Sequence, residues 1–483
     1  MTSHLRSPLW TAEELRRATD GQIATSVTVH GLSIDTRQIA PGDLFIALAG
    51  QTDGHRFIRQ AFRKGAACVM AHRADIAQRA DEPTQAGSPL TEDEKKRILW
   101  VGDTQAGLEA LGCFARARFS GGMIAVTGSV GKTTTKEMLR SALTPYGHTH
   151  AAVASFNNHI GVPLTLARLP REAAFCICEV GMNHPGEILP LARQVQPNIA
   201  VISTIGSAHL GHMGSLEAIA REKAALFSAL TDGGTALAPD DTPYPDLLAE
   251  AVPQNGRFWK AGISPEAEIH LSPPLCSAAG STAEVTMPDN RTALLTLSAP
   301  GPHLVRNAAL ALGVVAALGL ELPPALTALA GFQPGSGRGH SRKLPGDILL
   351  LDESYNASST SMRAALQTLA LLPARRHLVA LGDIRELGDF AEDEHRALAP
   401  DVRTAGALAF CCGPHMRHLY DALPPELQGG WAPDAARLAP LLQAALTPGD
   451  TLLVKGSFGS RMRDLIAALD DTSSSDSSSA GPV

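Results

Sequence analysis

Aromatic residues are scarce in this sequence, since Phe, Trp and Tyr together make up 4% of its 483 residues. Stacked rings that bind bases or sugars are therefore not its organising theme. An excess of positive charge is lacking as well, because 41 Lys and Arg residues are outnumbered by 48 Asp and Glu residues, for a net charge of −7. This balance excludes the broad basic surface of a dedicated nucleic-acid-binding protein, so an anionic ligand requires local basic sites.

Long hydrophobic runs are also missing. The longest nearly apolar stretch, Ala308 to Leu320, is shorter than the roughly 18–20 residues that cross a bilayer. The N-terminus lacks the pattern of a secretory signal. The cysteines form neither a CxxC pair nor a spaced framework, which favours reduced thiols and a cytoplasmic location. They are Cys68, Cys113, Cys176, Cys178, Cys276, Cys411 and Cys412.

The chain divides into three α/β blocks followed by a tail rich in Ser and Asp. Strands of the second and third blocks lack polar alternation, which predicts parallel sheets covered on both faces. The third block has the pattern of a doubly wound, Rossmann-like domain, and the composition of the tail predicts disorder. The predicted boundaries are residues 1–98, 99–331, 332–470 and, for the tail, 471–483.

Nine apolar segments are the predicted strands. They are LFIAL (44–48), AACVMA (66–71), MIAVTG (123–128), FCICEVG (175–181), IAVISTIG (199–206), DILLLD (347–352), HLVALGD (377–383), GALAFCCG (406–413) and TLLVKGS (451–457). Helices are predicted for Phe57 to Lys64, after Gly131, and for Ser215 to Leu230. The polar segment Ala80 to Lys96 is predicted to be an exposed loop.

The segment MIAVTGSVGKTTTKEML has the pattern of a phosphate-binding loop. It places an apolar strand before Gly128 and a helix that opens at Lys132. Glycine lets the backbone approach phosphates, and the amides of a helix N-terminus attract a polyanion. Lys132 is predicted to contact the β- and γ-phosphate oxygens, and Thr133 to coordinate Mg²⁺. The spacing is two residues shorter than the common motif, but an ordinary glycine-rich turn leaves the Lys-Thr pair unexplained.

Two further metal ligands are candidates because they follow predicted strands. Glu179 ends one strand and His209 follows the next. The carboxyl ends of parallel strands meet at the crevice where α/β sheets bind ligands, and a carboxylate suits a hard cation. The residue types alone leave a structural role open for both side chains.

Lys223 is out of place in the helix predicted from Ser215. It lies within an apolar stripe that includes Ile219, Leu226 and Phe227. Burial of an ammonium costs about several kcal/mol unless its charge is matched or removed. Three explanations remain open at this point: extension of the side chain to solvent, pairing with a carboxylate such as Glu179, and carbamylation by CO₂.

Eight segments, in their order and content, resemble the ATP-dependent Mur ligases of peptidoglycan synthesis over nearly the whole chain before the tail. They are DTRQIAPGDLFIALAGQTDGHRFIRQA, TGSVGKTTTKEML, SFNNHIGVPLTL, EVGMNHPGEI, GSAHLGHMGSLEAIAREKAALF, DESYNASSTSMRAAL, LGDIRELG and VKGS. TGSVGKTTTKE, FNNHIGVPLTL and SYNA together indicate the branch of the family that adds a D-alanyl-D-alanine dipeptide. The resemblance implies a small N-terminal domain for the UDP part of the substrate, a central ATPase domain and a C-terminal Rossmann-like domain.

The resemblance also implies roles for single residues toward ATP and metal. It implies Thr133 and Glu179 on one Mg²⁺, and His209 with a carbamylated Lys223 on or near a second. Arg338 would reach the γ-phosphate, Asp352 would take the ATP ribose, and Lys132, His209, Lys223 and Arg338 would form the catalytic set. Leu304 stands where the family usually has Asn, so the adenine side is assigned to Asn307. The nucleotide loop would comprise Thr127, Gly128, Ser129, Val130, Gly131, Lys132, Thr133 and Thr134.

The remaining implied roles concern the substrates, UDP-MurNAc-tripeptide and D-Ala-D-Ala. Asn157 and Asn158 would be substrate-side residues. The uridine pocket would be lined by Asp35, Thr36, Arg37, Asp53, Gly54 and His55. Tyr355, Asn356 and Lys455 would serve the dipeptide or domain closure.

The activity implied by the resemblance is amide ligation in a monomer that binds neither nucleic acid nor membrane. ATP would phosphorylate the tripeptide carboxylate, and the dipeptide amine would displace phosphate from the acyl phosphate. Another amide ligase of the superfamily, such as a folylpolyglutamate synthase or the enzyme that adds the third residue, is the alternative within this class. A regulatory protein that changes conformation on nucleotide binding is the alternative from another class.

Overall fold

A computed structural model describes residues 8–50, 52–72, 90–152 and 155–475 of the chain. Two compact units are present. The first comprises Met1–Ala125, Tyr146–Met182 and Leu189–Asn198, and the second comprises Val126–Pro145, Asn183–Ile188 and Ile199–Val483. Within the described ranges, every helix is too short or too polar to cross a bilayer.

The first unit contains a parallel sheet of four strands. In order across the sheet they are Gly31–Ser33, Asp43–Ile46, Cys68–His72 and Ile98–Val101. Alternate residues of a strand point to opposite faces, so Leu44 and Ile46 join one apolar cluster while Phe45 joins another. Both strands predicted for this block are confirmed. The strands Gly31–Ser33 and Ile98–Val101 were not predicted, and the predicted boundary between residues 98 and 99 lies at the start of the latter.

Further elements of the first unit surround this sheet and begin a second one. Trp10–Thr11 and Thr28–Val29 form an antiparallel pair, and Thr149–Ala151 and Phe175–Glu179 form a parallel pair. Gly122–Thr127 lies beside Phe175–Glu179, and it begins in the first unit and ends in the second. Helix Ile188–Val195 begins in the second unit and ends in the first. The other helices are Ala12–Thr19, Ile58–Arg63, Glu92–Lys96, Thr104–Ala117 and Gly161–Ala167.

The polar segment predicted as a loop is divided by the limits of the described residues. Residues 80–89 lie outside them, whereas Glu92–Lys96 forms a helix. Thr91 begins this helix with a capping box, because its side chain accepts a hydrogen bond from the Glu94 N–H and Glu94 accepts in return. Local capping therefore gives this charged stretch more order than its composition predicts.

In the second unit, the sheet continues from Gly122–Thr127 with parallel strands and ends in an antiparallel extension. The parallel strands are Ile199–Ile202, Thr235–Pro239, Arg257–Gly262 and Ile269–Leu271, and the antiparallel strands are Leu275–Ser277, Gly280–Thr286 and Thr292–Leu297. The extension was not predicted from the sequence; its strand Thr292–Leu297 has exposed residues at alternate positions. The helices of this part are Lys132–Leu143, Leu210–Met213, Leu216–Ala224, Pro245–Glu250, Pro302–Ala317 and Leu322–Ala330.

The third block, also in the second unit, has a sheet of six strands covered on both faces by apolar clusters. Its order is His340–Leu344, Ile348–Glu353, Asp450–Lys455, Arg376–Gly382, Ala407–Cys412 and Gln428–Ala432. Only the edge strand His340–Leu344 is antiparallel to its neighbour, so the doubly wound prediction is confirmed. The helices are Ser359–Ala370, Ala391–Arg396, Ala399–Thr404, Met416–Ala422, Ala435–Ala445 and Met462–Ser475.

Two predicted helix limits differ from those in the structure. The helix predicted from Ser215 to Leu230 ends at Ala224 and is followed by a single 3₁₀ turn, Phe227–Ala229. The last helix runs to Ser475, into the segment predicted to be disordered, while residues 476–483 lie outside the described residues. The start of helix Leu216–Ala224 is predicted better than its end, because the sequence shows the capping residue. Ser215 caps the first turn by accepting a hydrogen bond from the Ala218 N–H.

Candidate active site

The phosphate loop has the backbone that the sequence predicts. Gly128 and Gly131 have φ angles of +153° and +83°, which a residue with a Cβ rarely adopts. A Cβ on Gly128 would lie 2.1 Å from the Ser203 Oγ. Gly131 precedes helix Lys132–Leu143 without a side-chain cap, so the amides of the first turn are directed toward the loop. Main-chain donors and a helix dipole therefore meet at this strand end.

Lys132 places a positive charge against the phosphate loop. Its Nζ donates a hydrogen bond of 2.7 Å to the Gly128 carbonyl oxygen, and Lys132 to Thr134 are half-buried at the opening of the helix. The ammonium and the helix N-terminus can both attract phosphate oxygens. Asn307 lies beside the loop as well, because a Cβ on Gly131 would lie 3.4 Å from the Asn307 Nδ2. The predicted nucleotide residues of the second unit are thus brought together here.

Side chains of the segment Ser203 to Gly206 hold the phosphate loop from behind. The Ser203 Oγ donates to the Val130 carbonyl oxygen at 2.6 Å. The Ser129 N–H donates to the Thr204 carbonyl oxygen at 2.8 Å, and its Oγ exchanges hydrogen bonds with the main chain of Gly206 at 2.8 and 2.9 Å. Ser129, predicted to bind the nucleotide, thus donates both its N–H and its hydroxyl to the segment Thr204 to Gly206. Ser203 was not predicted, since its only signal is its position directly after a strand.

Lys223 is a buried lysine on which Glu222 acts only through its charge, without an ion pair. It is 1% exposed, and among the residues that the structure describes no carboxylate forms an ion pair with it. Burial first, and then the nearby Lys132 charge, lower the pKa of Lys223 well below the ordinary lysine value. Extension to solvent and pairing with a carboxylate, two of the three explanations left open by the sequence, therefore do not apply to this geometry.

The buried Glu179 and the half-buried Asn157 form a pair in the first unit. Glu179 is 1% exposed at the end of its strand, and its Oε1 accepts a hydrogen bond of 2.9 Å from the Asn157 Nδ2. The Asn157 carbonyl oxygen accepts from the Gly181 N–H at 2.7 Å, which anchors the asparagine. Asn158 has a different role, because its Oδ1 accepts from the Ile160 and Gly161 amides and so begins helix Gly161–Ala167. A carboxylate and a hydroxyl such as that of Thr133 have the oxygen donors that Mg²⁺ prefers.

His209 pairs with a residue of the third block. Its Nδ1 lies 2.7 Å from the Glu386 Oε2, and the neighbouring imidazole lowers the pKa of Glu386. The Gly211 N–H also donates to the Glu386 carbonyl oxygen at 3.1 Å. In the described ranges, no group of three His, Cys, Asp or Glu residues is arranged to hold a metal. Glu386 was missed because its motif, LGDIRELG, carries no chemistry by itself.

Arg338 stacks on an aromatic ring in the third block. Its guanidinium carbon lies 3.9 Å from the centre of the Tyr355 ring. The Asp352 carboxylate accepts hydrogen bonds from the Gly337 N–H, the Ser354 N–H and the Ser354 hydroxyl at 3.0, 3.0 and 2.6 Å. The predicted ribose ligand is thus engaged with the segments on either side of Arg338 and Tyr355.

Lys455 is buried next to these residues and, unlike Lys223, is paired. It is 3% exposed, and its Nζ lies 3.1 Å from both the Glu353 Oε2 and the Asn356 carbonyl oxygen. The Asn356 Oδ1 accepts a hydrogen bond of 3.4 Å from the Phe458 N–H. These contacts join the ends of two neighbouring strands, so Lys455 stabilises the loop that carries Tyr355 and Asn356.

The residues predicted for the uridine pocket lie in loops of the first unit. Arg37 donates its main-chain N–H and guanidinium to Asp35, which lowers the pKa of Asp35. The Thr36 Oγ1 donates to the Gln60 Oε1 at 3.0 Å. His55 is buried: its Nε2 accepts from the His72 N–H at 3.0 Å, so its Nδ1 donates to Asp53 at 2.7 Å. A Cβ on Gly54 would lie 2.9 Å from the Leu48 backbone.

Comparison with known proteins identifies three matching family models along the chain. They are described as Mur ligase family, catalytic domain (residues 28–118), Mur ligase middle domain (residues 126–315) and Mur ligase, glutamate ligase domain (residues 337–458). The chain is 32% identical to the UDP-N-acetylmuramoyl-tripeptide--D-alanyl-D-alanine ligase of Synechocystis over 90% of each chain. It is 31% identical to the ligase of that name from Escherichia coli, over 95% of this chain and 98% of that one.

Solved structures show the same similarity. A crystal structure of MurF from Acinetobacter baumannii matches with a TM-score of 0.82 and 30% identity, over 96% of this chain and 99% of that one. MurF ligase from Thermotoga maritima, solved in complex with ADP, matches with a TM-score of 0.76 and 24% identity, over 93% and 99% of the two chains, and this supports the fold. The three-domain α/β architecture expected from the sequence is thus confirmed.

Proposed function

The chain belongs to the Mur ligase family, and we propose that it is the ATP-dependent ligase that joins D-alanyl-D-alanine to UDP-N-acetylmuramoyl-tripeptide. The observation that carries the proposal is the phosphate loop, where Lys132 and the helix N-terminus converge on Gly128. The similarity to ligases of this name over 90% or more of the chain supports the choice of substrates. Both substrates and ATP are cytoplasmic metabolites, so the reaction belongs in the cytoplasm, and the chain acts as a monomer.

The reaction proceeds through an acyl phosphate. The terminal carboxylate of the tripeptide attacks the γ-phosphorus of ATP, and ADP leaves. The free amine of the dipeptide then adds to the acyl carbon, the amine proton is lost, and phosphate departs as the amide forms. The difficulty of the first step is the mutual repulsion of two anions, so catalysis depends on cations and positioning.

The cationic groups of the chain supply this screening. Lys132 neutralises charge on the β- and γ-phosphates, and Arg338 approaches the γ-phosphate from the third block. Thr133 and Glu179 would hold Mg²⁺, which would supply positive charge to the phosphate groups. Because Arg338 belongs to the third block and Lys132 to the second, closure of the third block would bring both cations to the γ-phosphate and keep water from the acyl phosphate.

The substrate-side assignments follow the chemistry of each group. Tyr355, Asn356 and Lys455 serve the dipeptide side, where Lys455 holds the strand end that carries the other two. The loops Asp35–Arg37 and Asp53–His55 surround the uridine nucleotide. Within them the side chains of His55 and Thr36 are engaged in part-buried hydrogen bonds, so the exposed Arg37 is the group that can reach a phosphate. Asn157 orients Glu179.

Lys223 is proposed to be carbamylated. Burial lowers the pKa of the Lys223 amine and so favours its neutral, nucleophilic form, which can add to CO₂ and release a proton to give an anionic carbamate. The product would offer oxygen ligands, with His209, for a second Mg²⁺. Lys223→Ala should lose activity and regain part of it with short carboxylic acids that occupy the vacated space. Density for a bare ammonium in crystals grown with CO₂ would contradict the carbamate.

The experiment that tests the proposed function is a substrate-pair screen of the purified chain with ATP and Mg²⁺. Phosphate release and amide product are expected only when UDP-MurNAc-tripeptide and D-Ala-D-Ala are both present. Amide product from folate and glutamate would indicate a folylpolyglutamate synthase. Amide product from a UDP-MurNAc-dipeptide and a single amino acid would indicate the ligase that adds the third residue. Tight ATP binding without any amide would indicate a regulatory protein instead. Lys132→Ala is the negative control.

A further inference from the structure

Two aromatic side chains are exposed side by side at one edge of the sheet in the third block. Tyr355 follows strand Ile348–Glu353 and is 41% exposed, and Phe458 follows the neighbouring parallel strand Asp450–Lys455 and is 54% exposed. Their ring centres lie 6.1 Å apart in an edge-to-face arrangement. Burial of aromatic rings is favourable, so a pair left exposed in a chain poor in aromatic residues points to a binding surface.

The pair lies where a doubly wound sheet binds ligands. Successive residues of one strand, Leu452 and Leu453, belong to different apolar clusters, so these clusters cover opposite faces of the sheet. Helix Ser359–Ala370, which follows Tyr355, packs in the cluster of Leu453, and helix Met462–Ser475, which follows Phe458, packs in that of Leu452. Neighbouring parallel strands whose connections leave toward opposite faces open a crevice beyond their carboxyl ends, and ligands occupy this crevice.

A guanidinium covers each ring of the pair. The guanidinium carbon of Arg338 lies 3.9 Å from the centre of the Tyr355 ring, and that of Arg463 lies 3.9 Å from the centre of the Phe458 ring. The electron-rich face of a ring attracts a cation and so holds the guanidinium in place. Arg463 is exposed, and it forms no ion pair within the part of the chain that the structure describes, so its charge is available to a ligand.

The acidic side chains closest in sequence to this surface have partners of their own. The Asp464 Oδ2 lies 2.6 Å from a guanidinium nitrogen of Arg461. The Glu353 Oε2 lies 3.1 Å from the Lys455 Nζ. Their charges are compensated by these pairs, so the positive charge of Arg463 is not neutralised by its neighbours. A carboxylate is the group that such a planar cation binds best.

The turn that carries Phe458 is fixed by the neighbouring strand end. The Arg385 guanidinium donates a hydrogen bond of 3.2 Å to the Gly459 carbonyl oxygen. The Ser460 Oγ donates one of 2.9 Å to the Asp383 carbonyl oxygen. The backbone of the turn is therefore held in place, and it keeps the aromatic ring at the surface in a defined position.

We propose that Arg463, stacked on Phe458, binds the C-terminal carboxylate of the dipeptide acceptor, and that the two exposed rings contact the methyl groups of the dipeptide. The inference rests on the proposed function, which makes D-alanyl-D-alanine the acceptor. Phe458 is then a positioning residue, because it acts through the guanidinium that it holds. An acceptor that lacks a terminal acid cannot form the contact to Arg463, so this residue determines specificity for the second end of the dipeptide.

The dimensions of the surface fit this orientation. A two-residue peptide spans at most about 7 Å, which is close to the 6.1 Å between the ring centres of Tyr355 and Phe458. With its carboxylate at Arg463, the dipeptide lies across the two rings and its amine points toward Arg338. Arg338 is the residue assigned to the γ-phosphate, so the amine, which attacks as the neutral base, is directed to the side where the acyl phosphate forms.

The contact is tested by removing the carboxylate from the acceptor. D-alanyl-D-alaninamide keeps the amine and both methyl groups but carries no negative charge. The wild-type chain should use D-Ala-D-Ala with a kcat/KM about tenfold higher than that for D-alanyl-D-alaninamide, a ratio that corresponds to about 1.4 kcal/mol. In Arg463→Gln this ratio should fall toward one through a higher KM for D-Ala-D-Ala, while kcat and the KM values for ATP and the UDP substrate change little.

Another stacked arginine of the third block provides the matched control. Arg417 lies 5.2 Å from the centre of the Trp431 ring, but it is paired with Asp421 at 2.9 Å. Arg417→Gln should therefore leave the ratio within about twofold of the wild type. Phe458→Leu should lower the ratio about threefold, because the guanidinium loses its ring, and Phe458→Trp should keep it. Thermal unfolding checks that the variants fold.

The outcomes separate this inference from the proposed function. If the wild type ligates neither acceptor, the proposed function fails and the inference fails with it. If the wild type ligates D-Ala-D-Ala and D-alanyl-D-alaninamide with equal kcat/KM, the inference alone is overturned. A wild-type ratio that Arg463→Gln leaves unchanged also overturns it. Should Arg463→Gln not fold, Arg463→Lys takes its place: it keeps the charge but loses the planar fork, so a ratio between that of the wild type and one is expected, and an unchanged ratio contradicts the proposal.

Discussion

Replacement of Lys223 by methionine should stabilise the fold while it removes activity. Lys223 is 1% exposed and lacks an ion pair among the described residues, so a charge there has an uncompensated desolvation penalty. Methionine keeps an unbranched side chain of similar length without that charge. We expect the free energy of unfolding to rise by about 1–3 kcal/mol, the size found when buried charges are replaced by apolar side chains.

The gain should depend on pH in a defined direction. Because burial lowers the pKa of Lys223 in the folded chain, the unfolded chain binds a proton at neutral pH that the folded chain binds less well. The penalty therefore exists at neutral pH, grows as pH falls toward the folded-state pKa, and disappears above the ordinary lysine value of about 10.4. The stability difference between Lys223→Met and wild type should shrink as the pH rises from about 7 to about 10.

A second buried lysine provides the matched control. Lys136 is 0% exposed, but its Nζ lies 3.1 Å from the Glu137 Oε1. Lys136→Met breaks that pair and should lower the free energy of unfolding by about 1–2 kcal/mol. Urea unfolding in buffer free of CO₂ and Mg²⁺ measures both changes, and the ligation assay measures activity. If Lys223→Met destabilises the chain as much as Lys136→Met does, the reasoning about an uncompensated charge is refuted.

Three further substitutions test the phosphate loop and its surroundings. Lys132→Ala should abolish acyl-phosphate formation with the affinity for the UDP substrate unchanged, measured by hydroxamate trapping and calorimetry; equal loss of both would contradict a role confined to the phosphates. Glu386→Gln removes the anion paired with His209 and should lower kcat about tenfold with ATP affinity kept, because the third block is held less firmly; an unchanged kcat would dismiss the contact. Gly128→Ala should lose ATP binding, since its Cβ would lie 2.1 Å from the Ser203 Oγ, and Ser203→Gly should restore part of it; full binding by the single variant would disprove the steric argument.

Local signals were sufficient for the phosphate loop. The glycines at 128 and 131 mark positive φ angles, and the Lys-Thr pair marks the first turn of the helix, so the loop and its helix were predicted within a residue. Ser129 shows the limit of such a motif. Its hydrogen bonds go to Thr204 and Gly206, and no property of the loop sequence indicates that a distant segment would use them.

The antiparallel extension and the partners of the polar side chains could not be predicted from the sequence. Strand Thr292–Leu297 was not predicted because its sequence pattern alone is a weak strand signal. Pairing with Gly280–Thr286 makes it a strand and buries alternate residues. Glu386 could not be assigned to His209, since a carboxylate in a loop has no preference for one partner until the fold brings the loops together. The role of Asp352 was likewise predicted from its motif alone. Its hydrogen bond to Gly337 depends on the folded turn around Arg338, which the motif does not indicate.

The sequence by itself determined the sheet class, the phosphate loop and the anomaly at Lys223, because strand hydrophobicity, glycine backbone freedom and a charge on an apolar stripe are properties of neighbouring residues. Tertiary structure decided which polar groups are already used. Ser129, His55 and Asp352 form hydrogen bonds with other groups of the protein. Lys223, by contrast, has no ion pair among the described residues. The physical reason is that a donor or an acceptor finds its partner through space, across separations that no local pattern records.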